Sequence, residues 1–365
     1  MVFALSMSNQ KHRITALTPK PPLHRRILQG AAGMPFHWRE AMLAVPAIPF
    51  LFLAGQWLDQ PAYGAVAAGA AFSVGFGAAR DLRGRRWGAM LGAMLGMALA
   101  GFAGTLIGAS LVLSATVAGL LATACAVLAL RDEDIWWVML QSVIALMVAG
   151  YYPGGVAQAA ERTAAVLAGG IVQIALVVTL AWLVPQASAR LPRGPAPKPV
   201  ERGLVVSHAF RAGLCVALAI ATARQLQLNN DYWAPVTALL VLKPGLHDTR
   251  ARGLERLLGT LSGCVVATVF AVLVADSFAA LLVGATVTVG LSYALQKARY
   301  PVFNVAVTAT VVLFVTIGHG GVVVNAEHRV IATLIGGLIA LGVAFLVRRP
   351  RRFVRATEDR LGSAS

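Results

Sequence analysis

The sequence predicts an all-α polytopic membrane protein with about twelve transmembrane helices, arranged as two parallel six-helix repeats with both termini cytoplasmic. Of its 365 residues, 58% are hydrophobic and only 13% are charged, and the mean hydropathy is +0.73. Soluble domains carry roughly 25% charged residues. Apolar runs of about 20 residues, the length that crosses a bilayer, recur along most of the chain. The basic residues cluster between these runs.

The apolar runs divide into two groups of six. The first group lies near 41–58, 62–79, 87–108, 111–130, 135–152 and 162–184, and the second near 206–225, 232–243, 254–275, 278–295, 301–318 and 329–347. The predicted organisation is a basic cytosolic tail (1–35), a first membrane repeat (36–185), a Pro/Arg-rich cytosolic linker (186–204), a second membrane repeat (205–348) and a basic cytosolic tail (349–365).

The distribution of Lys and Arg predicts which segment ends are cytoplasmic. Of the 31 Lys and Arg residues, the outer side holds only Arg162, Arg224 and Arg329. Because cytoplasmic loops are enriched in Lys and Arg, both termini are expected inside. Ten spans, with the shortest segments not crossing, fit the charges nearly as well. The same clustering argues against nucleic-acid binding, which the net charge of +16 alone would suggest.

The two halves share a motif, which predicts an internal repeat. Near the third segment of each half, an arginine precedes two glycines in the pattern Arg-x-x-Gly-x-x-x-Gly. The copies are Arg85, Gly88 and Gly92, and Arg256, Gly259 and Gly263, which stand 171 residues apart. His37 and His208, which open the first segment of each half, have the same separation. Since six segments per half is an even number, the repeats are expected to be parallel.

The second segment is the shortest in each half, over 62–76 and 232–242. Short or Pro/Gly-interrupted spans at matching positions indicate a transport site. A tilted or half-buried helix, kept short for packing, is the alternative for the first half. In the second half, the features that gather there favour function: Tyr232, Trp233, Pro235, Thr237, Lys243 and Pro244. An interfacial aromatic belt is an alternative for Tyr232 and Trp233 alone.

Arginines lie in line with glycines at both ends of the predicted spans. Arg252 and Arg256 share a helical face with Gly259 and Gly263, so both arginines are expected to face the bundle interior. Arg162 and Arg329 each precede a glycine pair by seven residues at predicted outer ends. Cations at both mouths would attract an anion. A positive-inside anchor beside a packing groove explains Arg252 and Arg256 about as well.

Residues for catalysis are not recognisable in the sequence. It shows no nucleophile elbow, phosphate loop or paired metal ligands, so neither an enzyme nor a cofactor is predicted. All fifteen acidic residues fall at span ends, in loops or in tails. Asp59 and Asp231 are expected to cap helices. The three cysteines, Cys125, Cys215 and Cys264, are expected to pack as small apolar residues.

The stretch from Tyr232, YWAPVTALLVLKPGLHDTRARGLERLLGTLSG, resembles the signature of the fusaric acid resistance (FUSC) proteins, also called the aromatic acid exporter family. The matching features are the Tyr–Trp pair, the Pro and Thr after it, the Lys–Pro break and the Arg-x-x-Gly-Thr helix start. The resemblance is strong over 200–275 and, through the repeat, weaker over 35–185. It implies an integral membrane-bound transporter domain that exports aromatic acids across a bacterial inner membrane, driven by the proton-motive force.

The resemblance also implies a distant similarity to plant aluminium-activated malate transporters, which are anion channels. A passive organic-anion channel is therefore the alternative to an exporter, and a structural membrane scaffold is a third possibility. The first half lacks the Tyr–Trp and Lys–Pro features, so the two repeats are not expected to be equivalent. The expected partners are a small organic anion and the lipid bilayer, with homo-oligomerisation left open and no nucleic acid.

These observations predict a set of functional residues. Arg256 is expected to be the main cytoplasmic anion-capturing residue, with Arg85 as a weaker partner, and Tyr232 and Trp233 are expected to stack on an aromatic substrate. The remaining substrate-binding candidates are Thr237, Lys243, Arg252, Arg162 and Arg329. The structural candidates are Pro235, Pro244, Gly259, Gly263, Gly88 and Gly92.

Overall fold

The computed structural model describes residues 36–82, 84–85, 87–184, 200–275, 277–319 and 322–347; within them, the side chains of Glu40 and His319 are not described. The predicted cytosolic tails, 1–35 and 349–365, and most of the predicted linker, 186–199, lie outside the described residues.

The described residues fold into helices and contain no β-strand, as the sequence predicts. In the first half they are α1 (Trp38–Ala44), α2 (Ala47–Trp57), α3 (Pro61–Gly75), α4 (Gly88–Ile107), α5 (Leu111–Leu128), α6 (Glu133–Gly150) and α7 (Val156–Leu183). In the second half they are α8 (Arg202–Gln225), α9 (Trp233–Val241), α10 (Leu246–Leu273), α11 (Phe278–Ala294), α12 (Tyr300–His319) and α13 (Val322–Leu346).

Nine helical segments in the described part of the chain are long and apolar enough to cross a membrane. They are α3 with its 3₁₀ extension (Pro61–Ala79), α4 to α8, α10, α12 up to Gly318, and α13. Two further apolar stretches are shorter, Ala41–Trp57 across α1 and α2, and α11. Pro46 separates α1 from α2, because a proline has no N–H to continue the backbone ladder. The chain is thus an all-α membrane protein.

Local sequence explains where several helices begin. Ser110 caps α5, since its Oγ accepts a hydrogen bond from the backbone N–H of Leu113. Asp132 caps α6 in the same way, accepting from the N–H groups of Asp134 and Ile135. The expected caps at Asp59 and Asp231 are wrong: α3 and α9 begin after Gln60 and Tyr232, and neither helix has a side-chain cap.

Corresponding helices make corresponding contacts in the two halves. α4 packs against α6 and α7, as α10 packs against α12 and α13, and α3 packs on α7 as α9 packs on α13. The halves also exchange contacts, because α5 lies against α8 and α11 lies against α1. A duplicated six-segment unit would produce this order of helix pairs.

Two glycines make the same close contact in the two halves. A Cβ atom on Gly169 of α7 would overlap the carbonyl oxygen of Ala67 in α3. A Cβ atom on Gly336 of α13 would overlap the carbonyl oxygen of Ala234 in α9. Each glycine lets two backbones touch, as small residues do between helices in lipid. The equivalent contact partners stand 167 residues apart in both cases.

α10 carries small or polar residues on its buried face and large apolar residues on its exposed face. Its buried face carries Arg256, Gly259, Gly263, Ala267 and Ala271. Its exposed face carries Leu254, Leu258, Leu261, Val265, Val269 and Val272. This is the arrangement expected of a helix that turns leucine and valine towards lipid and reserves its interior for close packing and function.

The structure corrects the predicted boundaries of three segments. α7, α10 and α13 begin at Val156, Leu246 and Val322, six to eight residues before the apolar runs on which the prediction was based. Arg162, Arg256 and Arg329 therefore lie inside helices and not at their ends. The residues that precede the apolar runs include polar side chains, so the apolar pattern does not detect them as parts of these helices.

The prediction of a matching short segment in the first half is wrong. α3 continues through a 3₁₀ turn to Ala79 and is long enough to cross a membrane. Of the two second segments, α9 alone is short, with nine residues from Trp233 to Val241. The chain extends at Leu242 and turns into α10 at Gly245.

Candidate anion-binding site

Arg256 lies in the interior of the second half, with only 6% of its surface exposed. Its Nη1 donates to the hydroxyl of Tyr300 at 3.1 Å and to Oδ1 of Asn304 at 3.0 Å, both on α12. Asn304 Nδ2 donates back to the Arg256 carbonyl at 2.9 Å and to Thr260 at 3.2 Å. The Arg256 Nε has no partner in the described structure. The guanidinium is therefore fixed in place, buried and incompletely hydrogen-bonded.

Two glycines bring α12 close enough for these bonds. A Cβ atom on Gly259 would lie 2.7 Å from the Asn304 amide, and one on Gly263 would lie 2.6 Å from the carbonyl oxygen of Val305. Gly92 faces Val138 of α6 at 3.3 Å, whereas Gly88 meets only its own segment, at Arg85 and Leu82. The predicted packing role thus has a structural basis at Gly259, Gly263 and Gly92, but not at Gly88.

Arg329 is the second buried cation of this region. It lies on α13 with 4% of its surface exposed, and its Cζ is 3.6 Å from the centroid of the Trp233 indole. Its Nε and Nη1 have no hydrogen-bond partner in the described structure. Arg256 and Arg329 lie within electrostatic range of each other. Two buried guanidiniums thus share one region between α9, α10, α12 and α13.

A third residue with an unsatisfied donor lies on α9. Thr237 is 1% exposed, and its hydroxyl has no partner among the described residues. A Cβ atom on Gly336 would lie 2.9 Å from the Thr237 Cβ, so that glycine seats α9 against α13. Pro235 is the third residue of α9, where an N–H would have no intrahelical acceptor, so it starts the helix without cost.

The charges of Arg256 and Arg329 are not neutralised within the described part of the chain. Neither guanidinium forms an ion pair with a described carboxylate, and the neighbours of Arg256 are neutral. Burying an unpaired charge costs several kcal/mol even after relaxation. An anion that accepts from the free N–H groups would offset this cost. The arrangement can therefore bind a carboxylate.

Arg85, the predicted partner of Arg256, lies elsewhere. It is exposed in the turn before α4, where it pairs with Leu82 through its backbone. Arg80 makes the first-half contacts instead, bonding Asp134 at 3.2 Å and Glu133 at 3.5 Å and lying over Trp137 at 5.2 Å. Glu133 and Trp137 stand 167 residues before Tyr300 and Asn304. Arg80 is thus neutralised by carboxylates of α6, whereas Arg256 is hydrogen-bonded to neutral side chains of α12.

Arg162 is also satisfied internally. Its Nη1 donates to the Thr105 hydroxyl and to the Tyr152 carbonyl, both at 2.7 Å, and its guanidinium lies 5.4 Å from the Tyr152 ring centroid. Arg329, its counterpart in the repeat, has an aromatic ring beneath it but no oxygen partner for two of its nitrogens. Of these two counterparts, Arg329 is the one that keeps unpartnered nitrogens in the described structure.

Arg252 and Lys243 lie next to the Arg256 region. The Arg252 guanidinium stacks on Tyr300 at 3.8 Å and approaches Glu255 at 3.4 Å. Because Tyr300 also accepts from Arg256, this ring connects the two arginines. Lys243 lies in the loop between α9 and α10, partly buried and within electrostatic range of Arg252. The following Pro244 offers its carbonyl to Arg211 at 3.0 Å.

Tyr232 is enclosed by other side chains. It is 5% exposed, and its ring packs at 5.6 Å from Tyr151 and 4.8 Å from Trp233. Its hydroxyl donates to Asn230 at 3.3 Å. Tyr232 therefore holds Trp233 in position, and Trp233 is the member of the pair next to Arg329. Stacking of both rings on a substrate stays a prediction.

Sequence reasoning missed four residues of this region. Tyr300 and Asn304, one turn apart on α12, carry no recognisable motif, since hydroxyl and amide side chains are common in membrane helices. Arg211 lies within an apolar run, and His208 stood out only as the repeat partner of His37. An arginine inside a predicted span is a signal that could have identified Arg211.

Comparison with known proteins agrees with the resemblance read from the sequence. Residues 216–343 match the family model described as fusaric acid resistance protein-like. Residues 216–343 are therefore similar to this family, and we refer to them as the FUSC-like domain. The domain contains Arg256, Arg329, Trp233, Tyr300 and Asn304. No solved structure matches the chain.

Three curated relatives align with part of the chain. Uncharacterized protein slr1298 of Synechocystis sp. is 29% identical over 42% of this chain and 20% of its own length. Inner membrane protein YccS of Escherichia coli is 31% identical over 41% of this chain and 22% of its own length. Uncharacterized protein ORF2 of Neisseria gonorrhoeae is 39% identical over 17% of this chain and 15% of its own length.

The chain spans about a fifth of the length of these relatives or less. Part of the chain is thus similar to FUSC-type proteins, and its candidate spans are those of a multi-pass membrane protein.

Proposed function

We propose that the FUSC-like chain exports aromatic or other hydrophobic organic acids across the inner membrane, driven by the proton-motive force. The observation that supports this proposal is the buried pair Arg256 and Arg329, which has free N–H donors and no described carboxylate to neutralise it. A guanidinium remains charged and can grip a carboxylate with two parallel hydrogen bonds. The anion then replaces the missing counter-charge.

The surroundings of the pair favour an aromatic substrate. The Trp233 indole lies under Arg329, and the Tyr300 phenol joins Arg256 to Arg252. Flat rings beside a carboxylate-binding group suit a ligand with its own ring, since aromatic pairs gain about 0.5–1.5 kcal/mol beyond area burial. Thr237 would add a neutral hydrogen bond to the bound acid.

The proposal requires an arrangement in the membrane. We propose twelve spans in two parallel repeats, in which α1 and α2 together count as one span and α9 as another, with both termini cytoplasmic. The matching helix contacts of the two halves and the positive-inside charge pattern support this arrangement. The inside-negative membrane potential then favours outward movement of an anion by about 2.3 kcal/mol per charge for each 100 mV.

The absence of a carboxylate at the described site favours the second candidate, a passive organic-anion channel. A proton-coupled carrier often keeps a carboxylate within the membrane, and neither arginine is paired with one here. The membrane potential alone would drive anions outward through such a channel. The two candidates share the anion site and differ in whether protons contribute to the driving force.

Purified protein in liposomes separates the candidates. With the potential clamped to zero by valinomycin and equal potassium, a pH gradient with an acidic lumen should drive benzoate or fusaric acid into vesicles that hold the protein inside-out. Passive distribution excludes a weak acid from an acidic lumen, so accumulation identifies the exporter. Single-channel currents without accumulation would establish the channel. If neither signal appears for a panel of aromatic acids, the proposal of organic-acid transport is wrong.

A further inference from the structure

A second group of basic side chains lies near the start of α8 and the end of α9. His208 and Arg211, one turn apart on α8, are each only 5% exposed. Lys243, in the loop between α9 and α10, is partly buried and lies within electrostatic range of His208. Positive-inside anchors lie in solvent or at the headgroups, so burial of His208 and Arg211 requires a different explanation.

The loop that carries Lys243 is held rigidly. The backbone N–H of Lys243 donates to Thr249 Oγ1 at 3.0 Å, and the Thr249 hydroxyl donates to the Gly245 carbonyl at 2.8 Å. Arg211 Nη2 donates to the Pro244 carbonyl at 3.0 Å, which ties the loop to α8. The Lys–Pro break therefore places Lys243 in a defined position near Arg211 and His208.

The two cations of this group, Arg211 and Lys243, have no buried counter-charge among the described residues. The Arg211 guanidinium bonds only backbone carbonyls, of Ser207 and Pro244, and His208 Nδ1 has no partner. Lys243 makes no ion pair with a described carboxylate. Nearby, the Asp248 side chain is 71% exposed, and Glu255 approaches Arg252. Fixed charges that stay buried without a counter-ion favour the uptake of an anion.

This group of basic side chains is connected to the Arg256 region. Lys243 lies within electrostatic range of Arg252, whose guanidinium stacks on Tyr300. Tyr300 accepts a hydrogen bond from Arg256, which lies within electrostatic range of Arg329. A row of cations thus runs from the loop before α10 to the centre of the FUSC-like domain. Successive weak sites let an anion move along such a row.

We propose that His208, Arg211 and Lys243 form a second anion site, which binds organic carboxylates from the cytosol and passes them to Arg256 and Arg329. The proposal rests on the transport function proposed above. It assigns His208 and Arg211 a role in binding, and it separates Lys243 from the central site. The ligand chemistry, a carboxylate or a phosphate oxygen, is also that of a lipid headgroup.

Equilibrium dialysis with radiolabelled benzoate on protein in dodecyl maltoside tests the number of sites. Two bound benzoates are expected for the wild type and one for His208→Gln/Lys243→Gln. Arg256→Gln should also retain one, because it removes only the central site. Arg211 is left intact, since its bonds to Ser207 and Pro244 also hold the loop. A single site in the wild type, or two in the double variant, would overturn the proposal.

Transport kinetics in liposomes give a second readout. The double variant should raise the KM for benzoate on the order of tenfold, the effect of losing a hydrogen bond to a charged group, with kcat little changed. Arg250→Gln, at an exposed position on the same end of α10, is the matched control and should leave the KM unchanged. An unchanged KM in the double variant would refute the second anion site. If Arg256→Gln loses activity while the double variant keeps a normal KM, the proposed transport function still holds.

Added phosphatidylglycerol distinguishes a lipid from a soluble anion. If the second benzoate site persists in maltoside micelles with a tenfold excess of this lipid over protein, a soluble carboxylate is its ligand. Loss of only the second site on adding the lipid would show that a headgroup phosphate occupies it, and loading of substrate would be refuted.

Discussion

The guanidinium of Arg329 lies over Trp233, with its Cζ 3.6 Å from the indole centroid. Trp233 is the first residue of the short helix α9, and Arg329 lies on α13, which packs on α9 through Gly336. The indole holds the cation in place without supplying a negative charge. Arg329 therefore keeps its capacity to bind an anion while its position is fixed.

Replacement of Trp233 tests this relationship. Trp233→Leu should weaken transport of aromatic acids by roughly 2- to 30-fold, because a cation–π contact contributes about 0.5–2 kcal/mol and the substrate loses an aromatic neighbour. Trp233→Phe should retain most of the activity. Uptake into liposomes, normalised to protein, measures both. The control is Trp182→Leu, at an exposed indole on α7 that is expected to face lipid. Equal losses for aromatic and aliphatic anions would assign Trp233 a purely structural role.

Arg256 is expected to be indispensable, whereas Arg85 is not. Arg256→Gln should lower transport by about 10- to 100-fold, since hydrogen bonds to charged groups contribute about 1.5–3 kcal/mol. Arg256→Lys should recover only part, because an ammonium lacks the planar fork. Arg85→Gln changes an exposed arginine of the same sequence motif and should be nearly neutral. Full activity in Arg256→Lys would favour a role in membrane orientation only.

Adjacent glycines on α13 should differ sharply in their tolerance of substitution. Gly336→Ala places a methyl group into the Ala234 carbonyl and should destabilise the protein by about 1–3 kcal/mol, whereas a Cβ on Gly337 meets no atom within 4 Å. Thermal unfolding in detergent should show a lower Tm for Gly336→Ala and little change for Gly337→Ala. Equal Tm values for the two variants would contradict the close packing of α9 on α13.

The pH dependence of transport should reflect Lys243. Burial, followed by the charge of Arg252, lowers the pKa of Lys243 to about 8. The ammonium is charged below that pH and neutral above it, so the KM for an organic acid should rise as the cytosolic-side pH passes from 7 to 9. Lys243→Arg should abolish this rise, because a guanidinium stays charged over the whole range. A rise of the same size in Lys243→Arg would assign the titration to another group.

The positive-inside pattern predicts from which side of the membrane an introduced cysteine can be labelled. Cysteines placed at Pro192 and after Arg355, both outside the described residues, should react with impermeant maleimide only after the cytoplasmic side is exposed. Labelling at either position in intact spheroplasts would contradict the parallel six-plus-six arrangement. A cysteine at the exposed Val156, the first residue of α7, is the control expected to label from outside.

Sequence alone determined the fold class, because the length and apolarity of a membrane segment are local properties. The predicted helix bounds agree with the structure within a few residues for α4, α5, α6 and α11. α7, α10 and α13 begin six to eight residues earlier than predicted, because polar residues within their first two turns interrupt the apolar pattern. The short length of α9 could also be predicted from the sequence, since Lys243 and Pro244 end its apolar run.

Only the tertiary structure decided which arginines are free to bind. Arg85 and Arg256 share a sequence motif, yet one is exposed and the other buried, and Arg80 makes the first-half contacts instead. An arginine becomes a candidate anion site through what other helices place around it. Carboxylates of α6 surround Arg80, and neutral groups of α12 surround Arg256. No local pattern encodes that difference, because the deciding partners lie some 50 residues away in sequence.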